Sequence, residues 1–211
     1  MTAGRQAASL TKDWCTPPEI INSVRSVFGG RIGLDPCSNE YSMVHAEVEY
    51  RLPGRDGLVL PWDAQTIYVN PPYGSDTVRG TRIIQWFERI AQAVERGSEL
   101  IALVPVATNT RHWKEYVYPK ASAICFLYQP RVRFYIEGVE DPKGAPMSCC
   151  VIYYGNKRQA FAEEFRRHGA VIPLHEAVLP MEDPAKVRRS GVRSRASRVH
   201  VRQDVGQDSL L

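Results

Sequence analysis

Short apolar runs alternate along the chain with segments in which apolar residues recur every three or four positions. The runs predict buried strands and the spacing predicts amphipathic helices. The predicted strands are residues 32–34, 46–52, 67–69, 100–104, 124–127, 132–136, 148–154 and 171–174. The predicted helices are residues 17–28, 81–96, 111–118 and 158–167. This alternation indicates an α/β fold with a mostly parallel sheet, one antiparallel strand and helices on both faces.

The first helix has a well-defined beginning and end in the sequence. Thr16 is predicted to be its N-cap, Pro17 suits the first helical position, and Glu19 completes a capping box. Gly29 and Gly30 follow the last apolar position and are expected to end the helix. The N-terminus of such a helix offers free amide donors and a positive potential to a carboxylate or phosphate.

Residues 67–69, a predicted strand, are followed at once by Asn70, Pro71, Pro72 and Tyr73. Neither proline can donate to a strand ladder, and each restricts the residue before it to extended geometry. The Asn70 amide, the Pro71 carbonyl and the Tyr73 ring are therefore expected at the edge of a sheet, where they suit a planar group that carries an NH2. A proline-rich turn without function is the alternative interpretation.

Asp35 and Pro36 follow the predicted strand 32–34, which places an acid at the carboxyl end of a strand. Open α/β sheets bind ligands outside the carboxyl ends of their strands. Because Asn70 has the same placement, we expect both side chains at one edge of the sheet. An Asx turn is the alternative for Asp35, and Asp56 lies in an Asp-Gly turn signal that is weak evidence by itself.

Composition limits the class of protein. A length of 211 residues suits one domain, and 44% apolar and 24% charged residues are ordinary for a soluble protein. No apolar run is long enough to cross a bilayer, and the polar N-terminal residues lack the apolar region of a signal peptide. The five cysteines are odd in number and lack metal-ligand spacing, which indicates a reduced, cytoplasmic protein without a metal site.

The net charge of +4 is unevenly distributed. Residues 181–211 contain seven Lys and Arg against four acids, whereas the rest of the chain has twenty basic and nineteen acidic residues. We predict a flexible arm at residues 1–11, a folded domain at residues 12–180 and a basic, disordered tail at residues 181–211. Such a tail either attracts a polyanion or is merely solvated.

The Asp-Pro pair and the later Asn-Pro-Pro-Tyr motif resemble those of S-adenosylmethionine-dependent amino-methyltransferases. The chain more narrowly resembles the phage and prophage Dam-type DNA N6-adenine methyltransferases, and this resemblance covers residues 12–155. The segments that carry it are Trp14-Cys15-Thr16-Pro17, Leu34-Asp35-Pro36-Cys37, Asp56-Gly57-Leu58, Trp62, Val69-Asn70-Pro71-Pro72-Tyr73-Gly74 and Leu103-Val104-Pro105. Residues 130–134 resemble the family's Gly-Arg-x-x-Phe stretch, with Pro130 in place of glycine. The resemblance implies a Rossmann-like class I methyltransferase fold for residues 12–180.

The resemblance implies methyl transfer from S-adenosylmethionine to the N6 amine of an adenine flipped out of DNA. The catalytic residues would be Asn70 and Pro71, whose oxygens accept the amine hydrogens, together with Pro72 and with Tyr73, which stacks on the base. Positioning and electrostatics would supply the rate without a metal. Because the motif is shared more widely, an RNA or protein-glutamine N-methyltransferase and an inactive nucleic-acid-binding relative are the alternatives.

The resemblance also implies a set of cofactor contacts. They are Trp14, Thr16, Pro17, Asp35, Pro36 and Asp56. Asp35 would lie near the methionine part, residues 14–17 near its carboxylate, and Asp56 near the cofactor adenine or the substrate base. The chain departs from most such enzymes because residues 35–39 replace a glycine-rich turn. The acidic ribose ligand stays open among Glu47, Glu49 and Asp56.

Only about 35 residues separate Asp35 from the catalytic motif, which leaves no room there for a large recognition domain. We therefore expect loops 75–80 and 138–147, or the basic tail, to recognise the DNA. The candidate DNA contacts are Arg79, Arg82, Arg131 and Arg133. The protein is expected to be a monomer or weak dimer.

Overall fold

The computed structural model describes residues 14–128 and 131–174. The predicted arm at residues 1–11, the tail at 181–211 and a turn predicted at Gln129 and Pro130 lie outside the described residues. The domain boundaries predicted at residues 12 and 180 lie outside them as well.

The described residues form strands that alternate with helices over most of their length. The strands are β1 (Leu34–Ser38), β2 (Val48–Arg51), β3 (Thr66–Val69), β4 (Ser75–Asp76), β5 (Thr81–Arg82), β6 (Glu99–Pro105), β7 (Ala123–Leu127), β8 (Tyr135–Ile136), β9 (Val139–Glu140), β10 (Cys149–Tyr154) and β11 (Gly169–Pro173). The helices are α1 (Pro18–Phe28), α2 (Ile83–Glu95), α3 (Arg158–Phe165) and a one-turn π-helix (Trp113–Val117). The α/β class predicted from the sequence is confirmed.

Seven of these strands form one sheet in the spatial order β11-β7-β10-β6-β3-β1-β2. Pairing is parallel from β2 through β1 and β3 to β6, and antiparallel from β6 through β10 and β7 to β11. Within this sheet β10 and β11 both run against the other five strands, whereas the sequence predicted one such strand. β11 is the additional antiparallel strand. After β10 the chain passes through α3 and enters β11 in the same direction as β10, and β7 lies between these two strands.

Helices cover both faces of the sheet, as predicted. Along β3 the side chains alternate, so that Tyr68 faces one layer while Ile67 and Val69 face the other. The first layer is a core with α1 and α3, and the second is a core with α2 and the π-helix. Buried members of the first core include Ile21, Val24, Phe161 and Phe165, and those of the second include Trp86, Phe87, Ile90 and Trp113.

The start of α1 differs from the prediction. Pro17 occupies the N-cap position, and no side chain of the described residues caps the helix. Thr16 Oγ1 lies 2.6 Å from the buried Tyr68 hydroxyl, so both the Thr16 cap and the Glu19 capping box were wrong. Local sequence cannot reveal that a cap residue has a tertiary partner. Gly29 ends α1 as predicted, with φ of 80° and an N–H bonded to the last turn.

Short elements were the least predictable part of the fold. The loop predicted at residues 75–80 is a hairpin of β4 and β5, and only β8 remains of the strand predicted at residues 132–136. β8 pairs with β9 in a second hairpin, and the helix predicted at residues 111–118 is the one-turn π-helix. Such segments carry too few residues for an apolar period to define them.

Candidate active site

The ends of β1 and β3 bring the two predicted motifs together. These strands are parallel, with Leu34 opposite Ile67. β3 ends at Val69, so Asn70 follows a strand as predicted. Asp35, however, lies inside β1, because pairing with β2 continues beyond it through an irregular register. The predicted position of Asp35 at the end of its strand was therefore wrong, but Asp35 and Asn70 line one small cavity.

Asn70 is oriented by the backbone of the N-terminal segment. Its Nδ2 donates to the Trp14 carbonyl oxygen at 2.9 Å. Because a carbonyl oxygen can only accept, the Asn70 amide is fixed with Oδ1 turned away from Trp14. Among the described residues none donates to Asn70 Oδ1 or to the Pro71 carbonyl. These two acceptors on adjacent residues therefore have no donor within the described residues, and they match the two hydrogens of an NH2 group.

Tyr73 is held by its hydroxyl and by two aromatic neighbours. The hydroxyl donates to the Leu103 carbonyl of β6 at 3.3 Å, and burial raises the pKa of Tyr73 well above its usual value. Its ring lies edge-on to Trp14 and Phe134, with centroids 6.1 and 5.9 Å away. Trp14 and Phe134 are themselves stacked at 5.1 Å. The ring is thus fixed in place, and its stacking on a base stays a prediction.

Phe134 was not singled out by the sequence reasoning, although residues 130–134 carried part of the resemblance. A backbone bridge brings it to the site, since Cys15 N–H donates to Tyr135 O at 2.9 Å and Tyr135 N–H donates to Cys15 O at 3.0 Å. A pairing between residues 120 positions apart leaves no local sequence signal.

The segment 14–17 divides between two cavities. Trp14 and Thr16 line the small cavity with Asp35 and Asn70. Pro17 instead lines a separate cavity of about 150 Å³. The structure therefore brings two of the three predicted contacts in this segment to the Asp35 cavity.

The Asp35 carboxyl is the most perturbed acid of the site. Only 3% of the residue is exposed, and burial raises the pKa to about 7 with a further contribution from Glu49. The Cys37 N–H, donated to Oδ1 at 2.9 Å, the Arg51 charge and a hydrogen bond with Ser42 act in the opposite direction. Within the described residues Asp35 forms no salt bridge. A buried carboxylate without such a partner suits a cationic ligand group.

A larger cavity of about 670 Å³ adjoins the small one and shares Cys37 and Asn39 with it. Its volume is in the usual range of small-molecule sites. The predicted cofactor residues Pro36 and Asp56 line it, and so does Pro72 of the catalytic motif. The cavity therefore extends from the predicted cofactor contacts to Pro72 of the catalytic motif.

Asp56 and Arg79 were predicted separately, as a cofactor contact and a DNA contact, but they form an ion pair. Arg79 donates to Asp56 Oδ2 at 2.5 Å, and the Leu58 N–H donates to Oδ1 at 2.9 Å. The side chain of Arg79 is 24% exposed and that of Asp56 is 30% exposed. Both line the large cavity, so the nearest cation to the predicted adenine contact comes from hairpin β4–β5.

The other three candidate arginines lie elsewhere. Arg131 and Arg133 line the 150 Å³ cavity, where Arg131 donates to the Ala145 carbonyl and Arg133 pairs with Glu140 at 3.1 Å. Arg82 is exposed at the end of β5. The four arginines therefore do not line one cavity.

Gly57, in the turn that contains Asp56, packs closely against the backbone of Pro36 in β1. A Cβ on Gly57 would lie 1.9 Å from the Pro36 carbonyl oxygen. We expect Gly57→Ala to lower the free energy of unfolding by about 2 kcal/mol, because the backbone must shift to admit the methyl group. Urea denaturation provides the measurement, and Gly54→Ala is the matched control because nothing lies within 4 Å of its added Cβ. Equal midpoints for the two variants would contradict the close approach.

The cysteines are not arranged for metal binding or a disulfide. All five lie in the described residues, where no disulfide joins them, and burial raises the pKa of Cys125 and Cys149 to about 12. Residues 14–128 and 131–174 contain no group of three His, Cys, Asp or Glu side chains able to hold a metal ion. No helix in this part of the chain has the length and apolarity to cross a membrane.

Comparison with known proteins gives one finding. A family model described as DNA N-6-adenine-methyltransferase (Dam) matches residues 5–168, which include the acceptor pair and both cavities. No curated protein and no solved structure matches the chain.

Proposed function

The chain belongs to the DNA N-6-adenine-methyltransferase (Dam) family, and on that basis we propose that it transfers a methyl group from S-adenosylmethionine to the N6 amine of adenine at a specific DNA site. The observation that carries this proposal is the acceptor pair of Asn70 Oδ1 and the Pro71 carbonyl at the end of β3. The resemblance to phage and prophage enzymes supports a phage or prophage origin and action in the host cytoplasm.

The acceptor pair has the chemistry that an adenine amine requires. The amine is a poor nucleophile because its lone pair is delocalised into the ring. Hydrogen bonds from its two hydrogens to Asn70 Oδ1 and the Pro71 carbonyl favour the pyramidal nitrogen. Pro72 restricts the backbone of Pro71 and so fixes the direction of that carbonyl. The Trp14 carbonyl fixes Asn70 in the same way, so the acceptors need no reorganisation when charge develops.

The residues that line the two cavities suit the parts of the proposed cofactor. S-adenosylmethionine, when bound, supplies an electrophilic methyl group on its sulfonium. The buried carboxylate of Asp35 suits the ammonium of its methionine part, and Trp14 and Thr16 are proposed near its carboxylate. Pro36 and Asp56 in the 670 Å³ cavity are proposed to hold the nucleoside. This arrangement supports a Rossmann-like class I methyltransferase fold, with the ligand outside the carboxyl ends of the parallel strands.

The DNA side of the site is proposed around Tyr73. Trp14 and Phe134 hold its ring, which supports a role in stacking on an adenine flipped out of the duplex. Arg82, Arg131 and Arg133 are proposed as contacts to the DNA backbone. Since one chain supplies both the acceptor pair and the cavities, the proposal requires no more than a monomer or weak dimer.

Tritiated S-adenosylmethionine distinguishes this function from its alternatives. We expect label in N6-methyladenine of duplex DNA and none in RNA or peptide substrates. Label confined to RNA or protein would contradict the proposal and favour the corresponding methyltransferase.

Thermal denaturation tests the cofactor independently of the substrate. We expect millimolar S-adenosylmethionine, or its demethylated product, to raise the melting temperature, because a ligand that binds only the folded state stabilises it. No shift, combined with DNA binding and no methyl transfer, would indicate an inactive nucleic-acid-binding relative.

A further inference from the structure

One ion pair connects the large cavity with the hairpin that follows the catalytic motif. Arg79, between β4 and β5, contacts Asp56 Oδ2 at 2.5 Å, while Oδ1 already accepts from the Leu58 N–H. Both oxygens of Asp56 therefore have donors. A ligand in the cavity that donates to Oδ2 competes directly with the Arg79 guanidinium.

The hairpin does not depend on this ion pair for its shape. Asp76 Oδ1 accepts from the backbone N–H groups of Val78 and Arg79 at 3.1 and 3.2 Å. At the other end the Arg82 N–H donates to Gln85 Oε1 at 2.7 Å. Loss of the ion pair consequently frees the Arg79 side chain while the backbone of the hairpin stays in place.

The proposed position of the cofactor nucleoside favours release of Arg79 when the cofactor binds. The two side chains are largely buried, so Asp56 loses Arg79 only when another donor takes its place at Oδ2. The ribose hydroxyls and the adenine amine, which S-adenosylmethionine shares with its demethylated product, are donors that can replace the guanidinium at Asp56 Oδ2. Arg79 follows Tyr73 by six residues in the hairpin that begins at Ser75, so under the proposed function its released side chain starts close to the base that Tyr73 stacks on.

We propose that Arg79 is a positioning residue that pairs with Asp56 in the cofactor-free protein and with a DNA phosphate once the cofactor is bound. The inference rests on the proposed function. Cofactor and DNA then bind with positive coupling, and linkage requires each to tighten the other by the same factor. As a result, the cofactor-bound protein binds DNA more tightly than the cofactor-free protein does.

The salt dependence of DNA binding tests this exchange without turnover. The affinity of the wild type for a DNA duplex that it methylates in the tritium assay is measured by fluorescence anisotropy between about 50 and 200 mM salt, with and without the demethylated cofactor product. Each phosphate neutralised adds about 0.9 to the logarithmic slope, so one extra contact adds about a threefold loss of affinity over this range. We expect this extra dependence only with the product present.

Variants of the pair and of its neighbour identify the arginine responsible. Arg79→Ala should have the same slope with and without the product, and Arg79→Lys should restore the difference because it retains the charge. Asp56→Asn should have the steep slope even without the product. Arg82→Ala is the matched control from the same hairpin, since Arg82 forms no salt bridge among the described residues. It should lower both slopes and keep the difference between them.

Two results overturn the inference. One is a wild-type slope that the product does not change, and the other is an Arg79→Ala variant that keeps the product-dependent difference. Either result, in a protein that methylates DNA in the tritium assay, removes the role of Arg79 and leaves the proposed function intact. A wild type that does not methylate DNA instead contradicts the proposed function itself.

Discussion

Asn70→Ala is expected to lower kcat for DNA methylation by about a hundred- to a thousandfold, the usual loss when one preorganised polar group at the reacting atom is removed. The substitution deletes Oδ1, one of the two acceptors at the end of β3, and leaves the Pro71 carbonyl in place. Cofactor affinity should stay close to that of the wild type, because Asn70 is assigned to the amine of the base. Single-turnover methylation and calorimetric titration of the cofactor measure the two effects separately.

Two further variants control for loss of the Asn70 amide. The same change removes the hydrogen bond to Trp14, which costs about 1 kcal/mol of stability. Asn70→Asp keeps an acceptor for the amine, but its second oxygen cannot donate to the Trp14 carbonyl and is repelled by it. Its activity should therefore lie between those of the wild type and the alanine variant. Asn109→Ala, at an exposed position after β6, should methylate like the wild type. Asn70→Ala activity within tenfold of the wild type would show the catalytic assignment to be wrong.

Asp35→Asn is expected to weaken cofactor binding about a hundredfold at pH 8, because it removes the buried carboxylate that is proposed to bind the cofactor ammonium. Wild-type affinity should depend on pH in the same region. Since the pKa of Asp35 is about 7 and the ionised form is required for binding, affinity should fall about tenfold for each pH unit below 7 and level off above it. Calorimetric titration of the demethylated product across this range measures both effects.

The stability of the ligand-free protein should change in the opposite direction. The pKa of Asp35 rises from an ordinary value of 3.8 to about 7, so the folded state binds the proton more tightly between these values. The free energy of unfolding should therefore fall as pH rises from about 4 to 7, by up to about 4 kcal/mol, and remain constant above. Asp35→Asn should abolish this slope and be more stable than the wild type at pH 8.

Urea denaturation at several pH values tests this second effect. Asp63→Asn is the matched control, since Asp63 is exposed and lines a cavity separate from the Asp35 site. It should keep the wild-type slope. A slope that survives in Asp35→Asn would assign the pH dependence to another group.

Much of the fold was predictable because the spacing of apolar residues along the sequence follows the buried faces of helices and strands. The apolar run of β6 and the apolar spacing in α2 mark a strand covered on both faces and a helix with one buried face. The direction of β11 was harder to predict, because an apolar run is the same in either direction. The hairpin β4–β5 was missed since two-residue strands carry no period.

The residues of the candidate site were likewise predictable in part. Asn70, Pro71 and Asp35 were predicted as site residues because each lies beside a proline at or near a strand. Prolines restrict the backbone, so their effect can be recognised from the sequence alone. Phe134 was missed as a site residue, and Arg79 was assigned to DNA alone. Their partners Trp14 and Asp56 lie far away along the chain, so only the folded backbone brings them together.

The sequence alone determined the layered α/β architecture, the acceptor motif at residues 70–71 and the family, because these depend on local periodicity, proline geometry and short motifs. The tertiary structure decided that Thr16 binds Tyr68 rather than capping α1, that Asp35 is buried, and that Arg79 reaches Asp56. Each of these depends on which distant side chain occupies a given place around the sheet. That information resides in strand order and register, which hydrophobic patterning does not specify.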